Sequence, residues 1–535
     1  AWQAEQKAPL TAPMQGYKPL RRGEVIAALV ASLCVIGALW FLSNIGGAVG
    51  IARADDWSYL LTQFEFADSG RFVMNNWAVT MLIGQTLIAA PIVAFFGPDI
   101  TALQVLVAGL SAAALVATYV VIRQVLSAGW SALAVASLAV SPVFGPSVVS
   151  FMTDIPSLFF LSLSLLIGIR ALQGPFIRWF PLWGSGLLAL VAFTFRDYAI
   201  IGFPAIVIVG WLLHKNRRMR VHLAAVLGVI VLLALSLYMW RHSLPNDLRL
   251  PGWDLGYSIQ LVARGSLTIA LLVAPALAAV TWCLAKTAST GRTVLPYVTA
   301  AGVAAVTLGI AGFELLGNVI HPFGTTWLVD GSGVRLWPLW INRLIILASF
   351  VCLTLILALA WKIWSGSLGD SGRTAALMAW IRNSPARAVV VVFPLLLLLA
   401  HSGATIVLGT WYIDRYFILV IPFLAAALLR VAIDQNWITR GAQVAIPGFF
   451  LLVLTGVGLH VVDFNARFDG ARWDIGEQLV AQGYQAAEID AGVEWVTFHA
   501  LEIGQSPEQR EYRPGRNWWT ERYPDQSLCV TVTAI

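Results

Sequence analysis

The sequence predicts an all-α protein that crosses a membrane about thirteen times, and three observations support this fold class. The 535 residues are 59% hydrophobic and only 12% charged, whereas soluble domains typically carry about 25% charged residues. Apolar runs close to 20 residues in length recur along the chain, and a helix of that length can span a bilayer. The basic residues fall mostly in the short breaks between these runs, as membrane topology requires.

Thirteen apolar runs are interpreted as spanning helices, of which 181–195 and 199–213 are the shortest. The runs lie at 24–46, 100–122, 131–149, 156–174, 181–195, 199–213, 221–240, 264–285, 293–316, 342–363, 388–408, 416–433 and 442–462.

A further apolar stretch, 78–96, contains Gln85 and Pro91 and is predicted not to cross. With Arg21 and Arg22 in the cytoplasm and 78–96 lying along the membrane, most basic breaks face the cytoplasm. These breaks include the densest one, 214–220 (HKNRRMR). If 78–96 crossed, every later loop would change sides, against the positive-inside rule.

This topology predicts a multi-pass inner or plasma membrane protein with a cytoplasmic N-terminus. Residues 1–463 form a transmembrane domain whose first outer loop, 47–99, contains amphipathic helices at the membrane interface. Residues 464–535 emerge on the outer side. There a helical stretch ends at Gly483 and is followed by strand-like sequence, which predicts a small extracytoplasmic α/β domain.

The composition argues against two other classes of protein. The net charge of +6 is not gathered into a basic stripe with interleaved aromatic residues, so nucleic acid is not an expected partner. Three of the four cysteines lie inside apolar runs, and no pair has metal or redox spacing. A structural zinc site or a disulfide framework is therefore not expected.

Two adjacent carboxylates, Asp55 and Asp56, stand in the stretch RADDWSY after the first apolar run. They begin a short amphipathic helix that ends at Ser69-Gly70, with apolar residues at helical spacing. Capping of that helix would explain one carboxylate. These residues alone leave capping and a functional role equally open.

More charged residues are predicted on the same outer face. Asp154 precedes a span in the motif TDIP, and Arg196 and Arg415 stand at two other outer turns. Loop 317–341 adds His321 and Arg335. The planar guanidinium of arginine matches phosphate geometry, although a local ion pair or an anchor at the lipid headgroups is the ordinary alternative for each arginine.

The order of these motifs resembles the GT-C glycosyltransferases, in particular the branch of the protein O-mannosyltransferases and the lipid A aminoarabinose transferase. The resemblance is strongest over 53–200 and 411–425. The matching residues are Asp55, Asp56 and Tyr59, then Thr153-Asp154, and finally Arg415-Tyr416 followed by Pro422. The family often has a Thr-Lys turn where this chain has Phe195-Arg196. The basic charge is therefore kept, but the residue that carries it differs.

The resemblance implies an enzyme that moves a sugar from a polyprenyl-phosphate carrier to an acceptor hydroxyl at the extracytoplasmic face. A cell-envelope glycolipid or glycan is the expected acceptor, with protein as another, and direct displacement would invert the anomeric centre. The implied roles are Asp55 as catalytic base, with Asp154 as a second catalytic carboxylate that orients the acceptor or an arginine, phosphate binding by Arg196, Arg415 and Arg335, and donor or acceptor binding by Asp56, Tyr59, Tyr416 and His321.

Three alternatives stay open at this point. Asp55 and Asp56 could hold a divalent metal, although the closer branch suggests no cofactor. A lipid-linked glycan polymerase or ligase could centre on loop 317–341. A non-enzymatic lipid or sugar transporter would place charges along a path through the spans, where Glu314 and His401 are the exceptions to a nearly uncharged interior.

Overall fold

The computed structural model describes residues 20–75, 78, 80–174, 176–244, 253–285, 315–317, 337–365, 380–410, 412–435, 438, 445–502 and 528–530. These residues are mainly helical, and eight of their helices are long and apolar enough to cross a membrane. The predicted polytopic helical membrane fold is confirmed. The number of thirteen spans stays a prediction, because run 293–316 lies almost wholly outside the described residues.

The helices are numbered here in chain order. They are α1 (Arg22–Ile45), α2 (Asp56–Ser69), α3 (Ile83–Phe96), α4 (Ile100–Ile122), α5 (Ala128–Ala139), α6 (Phe144–Val148), α7 (Asp154–Leu172), α8 (Trp179–Phe193), α9 (Gly202–Leu213), α10 (Arg217–His242), α11 (Leu255–Leu272), α12 (Ala274–Ala285), α13 (Leu339–Ser365), α14 (Pro385–Leu408), α15 (Ile421–Asp434), α16 (Ala445–Ala481) and α17 (Val493–Glu502). Three 3-10 turns accompany them at Asp197–Ile201, Asp414–Leu419 and Ala486–Glu488.

Two predicted spans are broken in the structure. Run 131–149 forms the 12-residue α5 and the 5-residue α6, and α5 is only about 18 Å long, against a hydrocarbon core of about 30 Å. Run 264–285 divides between α11 and α12. Proline explains both breaks, since Pro142 and Pro275 stand at the interruptions and lack the N–H that a continuous helix needs.

The stretch 78–96 contains α3, a helix of 14 residues. Its length of about 21 Å is short for a perpendicular crossing. The length is compatible with the predicted non-crossing arrangement, while its orientation in the bilayer stays a prediction.

The last predicted span and the first helix of the predicted C-terminal domain are one element. The helix α16 runs for 37 residues from Ala445 to Ala481, about 55 Å, and passes the expected boundary at 463/464 without interruption. Beyond it, the described strands are β1 (Ile489–Asp490) and β2 (Leu528–Cys529), which pair in parallel. The division of the chain at residue 464 stays a prediction.

A close backbone contact sets the position of α16 against the end of α1. A Cβ added to Gly470 would lie 2.2 Å from the carbonyl oxygen of Gly46, so only glycine allows this approach. The contact brings the extension of α16 beside the segment that leads into α2. The acidic pair therefore starts next to the C-terminal part of the chain.

Candidate active site

Asp55 occupies the residue before α2, yet its side chain makes no capping hydrogen bond. Its carboxylate instead forms an ion pair with Nη2 of Arg415, which lies in the 3-10 turn before α15. The Asp55 side chain is 32% exposed and that of Arg415 only 7%. Helix capping is thus not the role of Asp55, and its carboxylate is open to a substrate from one side.

Asp154 is the first residue of α7 and is fully buried. One carboxylate oxygen accepts a hydrogen bond of 2.7 Å from Nη2 of Arg196. The other accepts a hydrogen bond of 3.1 Å from the hydroxyl of Tyr198. Asp154 therefore holds the arginine at the 3-10 turn after α8 and does not itself face solvent.

Tyrosine side chains join the two ion pairs into one cluster. The guanidinium carbon of Arg196 lies 5.6 Å from the ring centroid of Tyr416, and the rings of Tyr198 and Tyr416 are 5.3 Å apart. The charges of both aspartates and both arginines act on the buried Tyr59. The four charged residues that the sequence predicts on one face are brought together at one end of the helix bundle.

Both arginines stay charged in this cluster. Burial by itself lowers the pKa of Arg415, but the Asp55 carboxylate opposes this effect and the pKa is raised above its ordinary value. Arg196 behaves in the same way beside Asp154, with its pKa raised against the effect of burial. For Tyr59, burial raises the pKa to about 12, so its hydroxyl keeps its proton and can donate a hydrogen bond.

Three buried donors in the cluster have no hydrogen-bond partner within the described part of the chain. They are Nε of Arg196, Nε of Arg415 and the hydroxyl of Tyr59. Buried polar groups in native proteins are nearly always hydrogen-bonded. Donors of this kind, two of them on charged guanidinium groups, are suited to an anionic group such as a phosphate.

Asp56 is oriented differently from Asp55. Its carboxylate accepts hydrogen bonds from the backbone N–H of Arg53 and from that of Phe151, the latter at 2.9 Å. Burial raises the pKa of Asp56 to about 7, although these two amides and the charge of Arg53 favour the ionised form. Asp56 thus ties the start of α2 to the segment that leads into Asp154, which is a positioning role.

The carboxylates of the acidic pair already have partners within the protein. Asp55 is engaged with Arg415, and both oxygens of Asp56 are engaged with backbone amides. Within the residues that the structure describes, no three His, Cys, Asp or Glu side chains gather into a possible metal site.

The remaining predicted residues divide into two groups. Tyr59 and Tyr416 lie in the cluster, as described above. His321 and Arg335 fall outside the described residues, so their predicted roles stay predictions.

Sequence reasoning missed two aromatic neighbours of the cluster and underestimated a histidine. The ring of His401, near the end of α14, lies 4.5 Å from that of Tyr198 and 5.7 Å from that of Tyr416. Tyr412 lies 5.9 Å from His401. Tyr198 and Tyr412 directly neighbour the two arginine motifs in the sequence, and this proximity is the signal that could have indicated them.

One family model matches the chain over residues 83–240. Its description is dolichyl-phosphate-mannose-protein mannosyltransferase. The match confirms the resemblance to GT-C glycosyltransferases. It covers Asp154 and Arg196, whereas Asp55 and Arg415 lie outside it.

Solved structures give weaker similarities over most of the chain. ArnT from Cupriavidus metallidurans in the apo state has 14% identity and a TM-score of 0.39, covering 90% of this chain and 84% of that one. The structure of the same protein bound to undecaprenyl phosphate has 14% identity and a TM-score of 0.40. This match covers 90% of this chain and 85% of that one. A third match is the archaeal oligosaccharyltransferase AglB from Archaeoglobus fulgidus, in complex with an inhibitory peptide and a dolichol-phosphate. It has 12% identity and a TM-score of 0.40, and the match covers 94% of this chain and 64% of the AglB chain. TM-scores this low do not establish a shared fold on their own. No curated protein matches the chain.

Proposed function

We propose that this protein is an integral-membrane glycosyltransferase that moves a sugar from a polyprenyl-phosphate carrier to an acceptor hydroxyl. The observation that carries the proposal is the charged cluster. A partly exposed carboxylate, Asp55, pairs with the buried Arg415 in a cluster that also contains the buried Arg196, and each arginine keeps an unused Nε donor. The family model that matches 83–240 is named for enzymes with such a lipid-phosphate donor.

Asp55 is the proposed general base. A carboxylate within hydrogen-bond reach of the acceptor hydroxyl can remove its proton as the oxygen attacks. The acceptor oxygen forms a bond to the anomeric carbon, the bond from that carbon to the phosphate oxygen breaks, and the proton goes to Asp55. Direct displacement of this kind inverts the configuration at the anomeric carbon.

Arg196 and Arg415 are proposed to stabilise the departing polyprenyl phosphate. Charge develops on the phosphate oxygen as the bond to the sugar breaks, and fixed donors in a buried site act most strongly on such charge. Asp154 orients Arg196 through its 2.7 Å hydrogen bond. The Tyr59 hydroxyl supplies a neutral donor in the same cluster.

The proposed location of the reaction is the extracytoplasmic side of the membrane. The pair Glu24–Arg123 joins the ends of α1 and α4, and Arg430, which pairs with Asp434 on α15, donates to the carbonyl of Val125; these helix ends are opposite to those that carry the cluster. The breaks that hold Arg123 and Arg430 are among those that the positive-inside rule assigns to the cytoplasm. The cluster, the outer loop 47–99 and the C-terminal segment then face outward, where a cell-envelope glycolipid or glycan is the proposed acceptor.

The variant Asp55→Asn tests this function. Reconstituted protein is supplied with synthetic polyprenyl-phosphate hexoses and pentoses and with extracted envelope lipids and glycans, and the release of polyprenyl phosphate is measured. We expect the variant to lose activity by a factor of about 100 or more while it stays folded, with a lowered melting temperature because the buried Arg415 loses its counter-charge. The control Asp463→Asn removes an exposed ion pair on α16 and should leave the rate unchanged.

Other functions give different results in the same assay. A polymerase or ligase centred on loop 317–341 would survive Asp55→Asn, and a transporter would not cleave any sugar-phosphate lipid. The configuration of the product, determined by NMR, checks the inversion. We also propose that no divalent metal takes part, so chelation should leave the rate unchanged; a loss restored by manganese or magnesium would refute this.

A further inference from the structure

A second buried charge cluster lies directly behind the acidic pair. Nε of Arg53 donates a hydrogen bond of 2.9 Å to Asp469, and Nη2 of Arg472 donates one of 3.0 Å to the other oxygen of the same carboxylate. Arg472 also bonds to Glu494 at 3.1 Å. None of the four side chains is more than 11% exposed.

This cluster joins regions that are far apart in the sequence. Arg53 stands two residues before Asp55, while Asp469 and Arg472 lie on the extension of α16 and Glu494 lies on α17. The bond between Arg53 and Asp469 spans 416 residues. The C-terminal part of the chain therefore contacts the turn that carries the proposed catalytic base.

The C-terminal side of the cluster is tightly built. Gly492 has a φ of +100°, and a Cβ there would lie 1.7 Å from Nη1 of Arg472. Trp473 follows Arg472 and packs against Trp495 with ring centroids 5.0 Å apart. Gly492 thus leaves room for the guanidinium of Arg472, whose central carbon lies 4.6 Å from the ring centroid of Phe468. Arg472 in turn bonds to the carboxylate of Asp469.

The turn that Asp469 reaches is strained. Ala54, between Arg53 and Asp55, has a φ of +49°, a left-handed conformation that a residue with a Cβ adopts only when its surroundings enforce it. Restraints are present on both sides of Ala54. The Arg53 side chain is held by Asp469 and its backbone N–H by Asp56, while Asp55 is held by Arg415.

We propose that the part of α16 beyond residue 463 belongs to the active site. Asp469, which lies there, acts through Arg53 to position the carboxylate of Asp55. The inference rests on the proposed function, because it assumes that Asp55 is the base. Asp469 is a positioning residue, since its carboxylate is turned to Arg53 and Arg472. Loss of this restraint lets the Ala54 turn relax and moves Asp55 away from the acceptor, while the Nε donors of Arg196 and Arg415 stay in place.

The test is a pair of variants, Asp469→Asn and Arg53→Lys. Both should lower kcat about tenfold or more, keep KM for the polyprenyl-phosphate sugar within about twofold, and keep the affinity for undecaprenyl phosphate. Their pH–rate profiles should also shift on the acid side, because the distance between Asp55 and Arg415 changes. The matched control is Asp463→Asn, which removes the exposed pair with Arg467 less than two turns earlier on the same helix, and it should alter none of these quantities.

The outcomes separate this inference from the proposed function. If Asp55→Asn abolishes activity and both new variants keep kcat, the positioning role is refuted and the function stands. If Asp55→Asn is active, Asp55 is not the base and the premise of this inference fails; if the parent protein releases no polyprenyl phosphate, the proposed function itself fails. A kcat that falls only in proportion to the fraction of protein that binds undecaprenyl phosphate would show a purely structural role and would also refute the inference. Should Asp469→Asn fail to fold, Arg53→Lys, which keeps the charge, decides.

Discussion

The two ends of the helix bundle both contain arginine–carboxylate pairs, but the arginines are satisfied differently. At the end opposite the proposed active site, Arg123 bonds to Glu24 at 2.9 Å and to the carbonyl of Leu126 at 3.1 Å. Arg430 pairs with Asp434 and donates to the carbonyl of Val125 at 3.1 Å. These arginines use backbone carbonyls as additional partners, and their bonds tie neighbouring helix ends together.

At the proposed active site, the arginines are about as deeply buried as Arg123 and yet less completely bonded. Nε of Arg196 and Nε of Arg415 have no partner in the described structure, and the turn beside Asp55 contains the strained Ala54. The difference teaches that an ion pair alone is weak evidence for function. The combination of unused donors, a partly exposed carboxylate at Asp55 and the strained Ala54 distinguishes this end from the pairs that hold helices together.

The largest difference between the two ends should appear in the free energy of unfolding. Asp154→Asn leaves the guanidinium of Arg196 buried without its counter-charge, which costs about 3–5 kcal/mol. Glu24→Gln changes a pair whose glutamate is 22% exposed and should cost much less, because solvent screens the pair. Thermal and denaturant unfolding in detergent measures both, and equal losses would show that the two pairs are equivalent.

Arginine-to-lysine exchange should separate the two ends in activity. Arg415→Lys keeps a positive charge but loses the Nε donor, so the rate of polyprenyl phosphate release should fall about 100-fold. Arg430→Lys at the other end should change the rate less than about twofold, since its side chain lies away from the cluster and bonds to Asp434 and to the carbonyl of Val125. A similar loss in both variants would contradict a phosphate-binding role for Arg415.

Removal of a tyrosine hydroxyl is a finer test. The hydroxyl of Tyr59 has no partner in the described residues, so Tyr59→Phe should leave the melting temperature unchanged or raise it. The rate should fall about tenfold, the equivalent of one lost hydrogen bond to substrate. Tyr119→Phe, beside Arg123 at the other end, should not alter the rate. A destabilised Tyr59→Phe protein would show that this hydroxyl serves the fold instead.

The smallest expected effect is a change in the pH dependence of stability. The folded-state pKa of Asp56 is about 7, above the ordinary value of 3.8, because of burial. The folded protein therefore holds this proton more tightly than the unfolded chain, and stability from this group is lost as the pH rises from about 4 to about 7. The variant Asp56→Asn lacks this carboxyl group. Its melting temperature should therefore rise by a few degrees relative to that of the parent as the pH rises from about 4 to about 7. Parallel curves would show that the carboxylate is ionised throughout.

Much of the candidate site could be predicted because its residues follow a local rule. Asp154 and Arg196 stand at breaks between apolar runs, and charged residues at such breaks are costly to place near lipid unless a partner or a function needs them. Their partners could not be predicted in the same way. Asp55 and Arg415 are 360 residues apart, and no local pattern links Arg53 to Asp469.

By itself, the sequence determined that this chain enters a membrane as helices and which charged residues stay at their ends, because hydrophobicity and helix length are properties of short segments. The tertiary structure decided which carboxylate meets which arginine, that α16 continues past residue 463, and that the C-terminal segment reaches the acidic turn. These features depend on packing between distant segments, where burial and the satisfaction of polar groups select the partners.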